Sequence, residues 1–300
     1  MTTARIGKLV VVGVGLIGGS LALALKRSGA AASVVGVGRS RHNLDAALRR
    51  GIVDRAFVLD EPWTAELTDA DLVLLATPVG EMPALFHAIA PRLGPRTVIT
   101  DAGSTKQDVV AAAREHLGVA LPRFVPGHPI AGTEHSGAIA AIDALFRDKL
   151  VVLTPLAETE SGAYARVSEC WTRCGAVVRK LDAARHDALF AVISHLPHLL
   201  AFVLVAAVAA RDDADECFEF AGSGFRDSTR LASGHSGMWR DVCLANRVAL
   251  QRELAAYRGE LDRVGALLAA ADGDGLLRLF ERARVARDGW LARQSGGDEV

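Results

Sequence analysis

The stretch KLVVVGVGLIGGS, residues 8–20, constrains the fold more than any other in the chain. A continuous β-branched run reads as a strand buried on both faces, and a glycine-rich turn and a helix start follow it at once. Gly13, Gly15 and Gly18 fall in the spacing G-x-G-x-x-G, with Leu16 and Ile17 filling the gap. Gly13 suits the tight turn, Gly15 lets the backbone approach a pyrophosphate, and Gly18 lets helix and strand pack closely. The N–H groups that open the helix then face the phosphates. A glycine-rich turn alone can be no more than a turn. Behind a first strand and ahead of a helix, it predicts dinucleotide binding in a βαβ unit. The basic start and apolar run also fit a signal peptide, but that reading leaves the glycine spacing unexplained.

Further apolar runs recur at 33–38, 71–77, 97–102, 123–127 and 150–155, with another at 175–181. Helical segments separate them, so the first part is expected to be a doubly wound α/β domain with a parallel sheet. After about residue 182 the strand pattern stops. The segment 182–213 reads as a long apolar helix, kinked by Pro197 in its interior. Leu250, Leu254, Tyr257, Leu261, Val264 and Leu268 keep helical spacing further on. Gly273, Asp274 and Gly275 read as a turn before a last helix. The expected division is a dinucleotide-binding Rossmann domain over 1–181 and a helical substrate and dimerisation domain over 182–300. The apolar 188–210 helix and the 250–268 stripe offer more hydrophobic surface than this half can cover alone, which predicts a homodimer.

With 34 basic against 35 acidic residues among 300, the chain has no global field to attract nucleic acid or an anionic membrane. The apolar run 199–210 is shorter than the roughly 20 residues a bilayer requires. Cys170 and Cys174 sit one helical turn apart with no second pair to complete a metal site, so the four cysteines read as reduced thiols and no metal is expected. These features together predict a cytoplasmic protein.

The end of the second strand reports on the dinucleotide. Gly38 stands where an NAD site has an acidic residue, and Arg39, Ser40 and Arg41 follow. Arginine and serine there accept a 2′-phosphate, so NADP is favoured over NAD; the plainer alternative is a solvated loop. Thr77 and Pro78, ending a later strand, are expected beside the cofactor. The loops DAGSTK (101–106) and GHPIAGTEHSG (127–137) also lie at carboxyl ends of strands, the edge where open α/β sheets bind ligands. His128 opens an irregular loop rich in glycine and proline, where buried-core duty does not explain a histidine.

These loops, with SHLPH (194–198) and GSGFRDSTR (222–230), resemble the prephenate/arogenate dehydrogenases, or cyclohexadienyl dehydrogenases, of tyrosine biosynthesis. The resemblance runs from about residue 8 to about 270. It implies NAD(P)-dependent oxidative decarboxylation of a cyclohexadienol, with hydride leaving ring C4 and CO2 leaving C1. It implies that His128 polarises and deprotonates the C4 hydroxyl, as an imidazole with a pKa near the working pH is suited to do. Ser104 matches a serine that joins His128 to the substrate hydroxyl, and Arg230 an arginine that binds a substrate carboxylate. Ser194, His195 and His198 match a cluster around the substrate; Glu134 and Asp227 match residues at the pocket mouth, with Thr133 beside them. His195 or His198 alone could equally be a satisfied core residue, and Asp227 with Arg230 a surface helical pair. His135, His186 and His235 are left as surface or supporting residues. With the first strand at about residue 8 and few residues after the last helix, the chain is expected to be monofunctional, without a fused mutase or regulatory domain.

Two other classes compete. A β-hydroxyacid dehydrogenase joins the same kinds of domain, but carries a catalytic lysine on its helical part, and no lysine follows Lys180 here. A non-catalytic NAD(P)-sensing module would use the glycine turn and leave the 127–137 loop and Arg230 without a role.

Overall fold

The computed structural model describes residues 5–133 and 135–295. Residues up to Leu250 form one compact unit and those from Gln251 a second.

The first unit opens with β1 (Ile6–Val12), α1 (Leu16–Arg27), β2 (Ala31–Gly38), α2 (Arg41–Arg49) and β3 (Arg55–Val58). Next come β4 (Leu72–Leu75), α3 (Met82–Ile89), β5 (Val98–Asp101), α4 (Gln107–His116) and β6 (Phe124–Val125). The six strands pair in parallel in the order β3-β2-β1-β4-β5-β6. The order reverses beside β1, which places Gly13 at the switch point where such sheets bind ligands. Alternation along the strands builds two cores. Leu9, Val11, Leu72 and Leu74 join Leu21 and Leu25 of α1 on one face. Val10, Val12, Val73 and Leu75 join Phe86 of α3 and Val109 of α4 on the other. Burial on both faces is why these strands read as continuous apolar runs.

The expected single parallel sheet is corrected at both ends. β3 was not foreseen, because Arg55–Val58 is a half-exposed edge strand with no continuous apolar run. The run 123–127 is two strands. Pro126 breaks it, and β7 (Gly127–Pro129) turns away to pair antiparallel with β8 (Leu150–Leu153). After α5 (Ser161–Arg173), β9 (Val177–Lys180) pairs parallel with β8, completing a separate three-stranded sheet.

The helical part begins with α6 (Ala183–Phe190), whose N–H groups at Ala184 and Arg185 donate to the Asp182 carboxylate. A π-helical turn over Ala191–His195 leads into α7 (Leu196–Ala209). Pro197, within the first turn of α7, has no N–H and crowds the carbonyl one turn earlier, and the wider turn accommodates both. Ala183–Ala209 is thus one 27-residue helical run with an 18-residue window of mean hydropathy 2.1, long and apolar enough to cross a membrane by length and composition. It also carries the buried His186, Asp187 and His195, which tie it to the rest of the unit. α8 (Ala214–Glu219), α9 (Ser223–Thr229) and α10 (Ser236–Ala245) follow. α11 (Arg247–Ala269) leads into the second unit, where α12 (Gly273–Ser295) is the last helix. Gly273, Asp274 and Gly275 are its first turn and not a loop: Gly275 N–H donates to the Asp272 carboxylate at 2.8 Å, which caps the helix.

Candidate active site

The three glycines meet three different physical demands. Gly13 has φ +99°, and a Cβ there would lie 2.3 Å from the Ala76 carbonyl oxygen. A Cβ at Gly18 would lie 2.3 Å from the Gly13 oxygen and 2.8 Å from Val11, so helix and strand touch at that point. At Gly15 a Cβ would meet nothing within 4 Å, leaving open space before the N-terminus of α1. There the first-turn N–H groups, at Leu16, Ile17 and Gly18, lack partners one turn earlier in the helix. Thr77, just past the end of β4, has a buried hydroxyl without a partner among the described residues, and Pro78 starts the turn Val79–Glu81 against which α10 packs. These residues fit a dinucleotide lying across the carboxyl edge of the sheet.

At the end of β2 the three polar residues divide. Ser40 caps α2, accepting from the Asn43 N–H. Arg41 is held by both oxygens of Glu61 at 2.7 and 2.8 Å. Arg39 is exposed and has no side-chain partner among the described residues.

His128 sits in β7 on a frame built from the end of β5. Asp101 and Lys106 form an ion pair with no exposed side-chain surface. Asp101 also accepts from the N–H groups of Gly103 at 2.7 Å and Gly127 at 3.1 Å. Lys106 Nζ donates to the Gly127 carbonyl at 2.6 Å. The pair therefore holds both the N–H and the carbonyl of Gly127, the residue before His128. Removing one partner of such a pair leaves a buried charge uncompensated, a cost of about 3–5 kcal/mol.

The half-buried His128 ring packs on Phe190, and its Nδ1 lies 2.8 Å from Nε2 of His186. His186 Nδ1 lies 2.8 Å from Oδ1 of Asp187. The Asp187 carboxylate also accepts from the N–H groups of Lys106 and Gln107, at 2.8 and 2.9 Å, where α4 begins. Burial opposes its ionisation, but the bonds from His186, Gln107 and Lys106 outweigh that and hold its carboxyl below the usual range. Burial, with His186, Lys106 and His195 nearby, pushes the His128 imidazole well below the ordinary histidine value. This corrects the expectation of a pKa near the working pH: His128 is neutral there, its base form ready.

His195 is buried one turn from His198, and its Nδ1 lies 3.1 Å from the Asn246 amide, which also donates to the Asp187 carbonyl at 2.8 Å. Burial pushes its pKa down to about 4. Its Nε2 is buried and has no hydrogen-bond partner among the described residues. His198 Nδ1 donates to the Ser194 carbonyl at 2.9 Å, and its ring stacks on Trp239 at 3.6 Å. The charge of Arg230 is close enough to His198 to add to the lowering of its pKa that burial begins.

Ser194, His195, His198 and Arg230 thus come together with Trp239, and His128 with His186. Ser104 makes no hydrogen bond with His128 among the described residues; His186 holds that nitrogen. Asp227 and Arg230 are both exposed and form no ion pair with each other. Thr133 is exposed in the loop, its hydroxyl accepting from the His135 N–H, and Glu134 lies outside the described residues. His235 caps α10, accepting from the Met238 N–H.

Sequence reasoning left His186 aside and passed over Asp101, Lys106, Asp187, Asn246 and Trp239. The signal for Asp101 and Lys106 was present in DAGSTK, whose two ends are oppositely charged and flank small residues. Nothing along the chain pointed to His186, since the contact that gives it a role is with His128 on β7, and the bonds that fix its neighbour Asp187 come from the start of α4.

Rossmann sheet, glycine turn and convergent histidines define a nicotinamide-dependent oxidoreductase with a helical second part. Two family models match the chain: the prephenate dehydrogenase nucleotide-binding domain over residues 21–180 and the prephenate dehydrogenase dimerization domain over 182–282. The chain belongs to the prephenate dehydrogenase family. It is 34% identical over 291 residues to the prephenate dehydrogenase of Bacillus subtilis, covering 96% of this chain and 77% of that protein. It is 34% identical over 281 residues to the cyclohexadienyl dehydrogenase of Zymomonas mobilis, covering 93% and 94%. Among solved structures, Aquifex aeolicus prephenate dehydrogenase with hydroxyphenyl propionate and NAD+ superposes with TM-score 0.89 at 31% identity, over 95% of this chain and 99% of that one. Synechocystis arogenate dehydrogenase superposes with TM-score 0.78 at 31% identity, over 94% and 99%. Membership of this family disposes of the β-hydroxyacid dehydrogenase reading.

Proposed function

We propose that this chain catalyses the oxidative decarboxylation of prephenate, arogenate or both, using a nicotinamide dinucleotide. The observation that carries the reading is His128: a neutral imidazole, half-buried, fixed by the Asp101–Lys106 frame at the carboxyl edge of the sheet. Gly13, Gly15 and Gly18, with the N-terminus of α1, would hold the pyrophosphate, and Thr77 and Pro78 would line the nicotinamide end. The bound nicotinamide supplies a hydride acceptor for ring C4. His128 takes the proton from the C4 hydroxyl as the carbonyl forms, and Ser104 lies on the adjoining loop to orient that hydroxyl. Arg230 binds a carboxylate of the substrate as a planar fork. Ser194, His195 and His198 line the substrate side, with Thr133, Glu134 and Asp227 at the mouth. Loss of CO2 from C1 needs no further acid or base, because aromatisation of the ring drives it.

Arg41 is committed to Glu61, so acceptance of a 2′-phosphate falls to Arg39, with the Ser40 hydroxyl beside it. The reading favours NADP, or both dinucleotides, over NAD alone. It also makes the active form a homodimer. Val203 and Leu204 on α7 are exposed in the single chain, as are Leu277 and Phe280 on α12. Apolar surface of that kind is what obligate interfaces bury.

Turnover of each substrate with each dinucleotide tests the reading. Dinucleotide reduction that requires prephenate or arogenate and releases CO2 supports it, and Arg39→Ala should weaken NADP binding selectively. No turnover with either substrate would refute it. A preference for NAD that Arg39→Ala leaves untouched would overturn the cofactor assignment alone.

A further inference from the structure

The hydrogen bonds around His128 determine which of its nitrogens carries the proton. Asp187 is the fixed end of the chain. Its two oxygens accept from the backbone N–H groups of Lys106 and Gln107 at the start of α4, a donor-rich place that keeps the carboxylate ionised. An ionised carboxylate can only accept, so the 2.8 Å contact with His186 requires a proton on His186 Nδ1. A neutral His186 then has a bare Nε2. The 2.8 Å contact between that atom and His128 Nδ1 therefore requires the proton on His128 Nδ1. What remains on His128 is a bare Nε2, with no partner among the described residues.

We infer that His186 and Asp187 act as positioning residues: the series Asp187–His186–His128 fixes His128 as its Nδ1–H tautomer and so presents Nε2 as the base. The inference rests on the proposed reading, in which His128 deprotonates the C4 hydroxyl. In the step the substrate O–H bond breaks and a bond from that proton to His128 Nε2 forms, while the O–H electron pair becomes part of the new carbonyl as hydride leaves ring C4. His128 is then an imidazolium whose Nδ1–H already donates to His186, and the Asp187 carboxylate lies at the far end of the series. The cation is stabilised without moving a heavy atom, and Asp187 need not take a proton. The other charged and titratable groups against the series are Lys106, Asp101, His195 and Asp108, whose carboxyl is pushed up by burial and, to a lesser degree, by Asp187; the Asp101–Lys106 pair is internally compensated.

The burial of these residues argues against a merely structural role. His186 has no exposed surface and Asp187 almost none, and His186 stacks on Phe190 at 4.4 Å. A packing role alone would be filled more cheaply by a leucine, because two buried polar side chains must be fully hydrogen-bonded to break even. Here they are, and the last bond in the series ends on His128.

Two measurements test this. The first needs no variant of the relay: long-range 1H–15N spectra of the full chain with labelled histidine, near neutral pH, with His128→Asn used to assign the His128 signals. The expected result is an Nδ1–H tautomer at His128. An Nε2–H tautomer there would overturn the inference. The second compares His186→Leu with His186→Gln, whose side-chain oxygen can still accept from His128 Nδ1–H. The leucine variant should lower kcat roughly 10- to 100-fold with KM and dinucleotide affinity close to wild type, and its His128 signals should move toward the Nε2–H form. The glutamine variant should recover part of the lost kcat. Wild-type kcat in His186→Leu would overturn the inference, as would equal losses in both variants with no change of tautomer. A wild-type chain that turned over neither substrate would sink the functional reading, while the spectra would still decide the tautomer.

Discussion

His195 shows how much one buried side chain constrains the chain's behaviour. Its pKa is pushed down to about 4 by burial, from an ordinary value of 6.5. The folded state therefore keeps the neutral ring where the unfolded state already binds a proton. Between those two values stability must fall as pH falls, and above the upper one this residue has no effect. The shift corresponds to about 3 kcal/mol for His195, and the lowered values of His128 and His186 act in the same direction. The urea midpoint should hold steady above the upper value and drop steeply through the window beneath it; a flat midpoint there would contradict the burial of these rings. At this level legibility was uneven. His128 stood out because its glycine- and proline-rich surroundings read as an irregular loop; the structure corrects this, placing it in the short strand β7 opposite Val152, but the functional reading does not depend on the difference. His186 did not, because its contact with His128 joins positions 58 residues apart, and the bond that anchors its neighbour Asp187 to Lys106 joins positions 81 apart. No spacing rule along the chain reports a contact of that kind.

The strand-turn-helix of β1 and α1 is where sequence and structure agree most closely, because each glycine there answers a local steric demand. That allows two neighbouring substitutions to be told apart. Gly15 has φ −106° and open space around it, so Gly15→Ala should fold with an unchanged melting temperature. Its methyl group would occupy the approach to the pyrophosphate and weaken dinucleotide binding by roughly tenfold or more. Gly18→Ala would drive a Cβ into the Gly13 carbonyl and Val11, lowering both melting temperature and affinity. Thermal melts and dinucleotide titration of the two variants check this; a destabilised Gly15→Ala or a fully stable Gly18→Ala would count against the geometry. Elsewhere the elements were legible only where burial is two-sided. β3 was missed as a half-exposed edge, the run 123–127 hid a change of sheet at Pro126, and the expected kink at Pro197 took the form of a π turn over Ala191–His195. Asp272 turned an expected Gly-Asp-Gly loop into the first turn of α12 by capping it.

For the molecule as a whole, the helical apolar stripes explain both what was legible and what a single chain leaves unfinished. Leu250 is buried, whereas Tyr257, Leu261 and Leu268 on the same stripe are exposed. Light scattering should give twice the 31.6 kDa of one chain at micromolar concentration, and a single-chain mass would refute the dimer. The class, an α/β part followed by a helical part, was readable because periodicity changes from strand to helix at about residue 182. The site was readable as a set of loops at one sheet edge, though not as a set of distances. The most direct test of the catalytic assignment is steady-state kinetics of His128→Asn beside Arg230→Ala, with the substrate and dinucleotide that the wild-type chain prefers. His128→Asn should lower kcat by about 10²–10⁴-fold with KM little changed, as for loss of a positioned base. Arg230→Ala should chiefly raise KM, by an amount matching a charge-assisted bond of roughly 1.5–3 kcal/mol. Near-normal kcat in His128→Asn would contradict the assignment and leave His195 and His198 as the remaining candidates for the base.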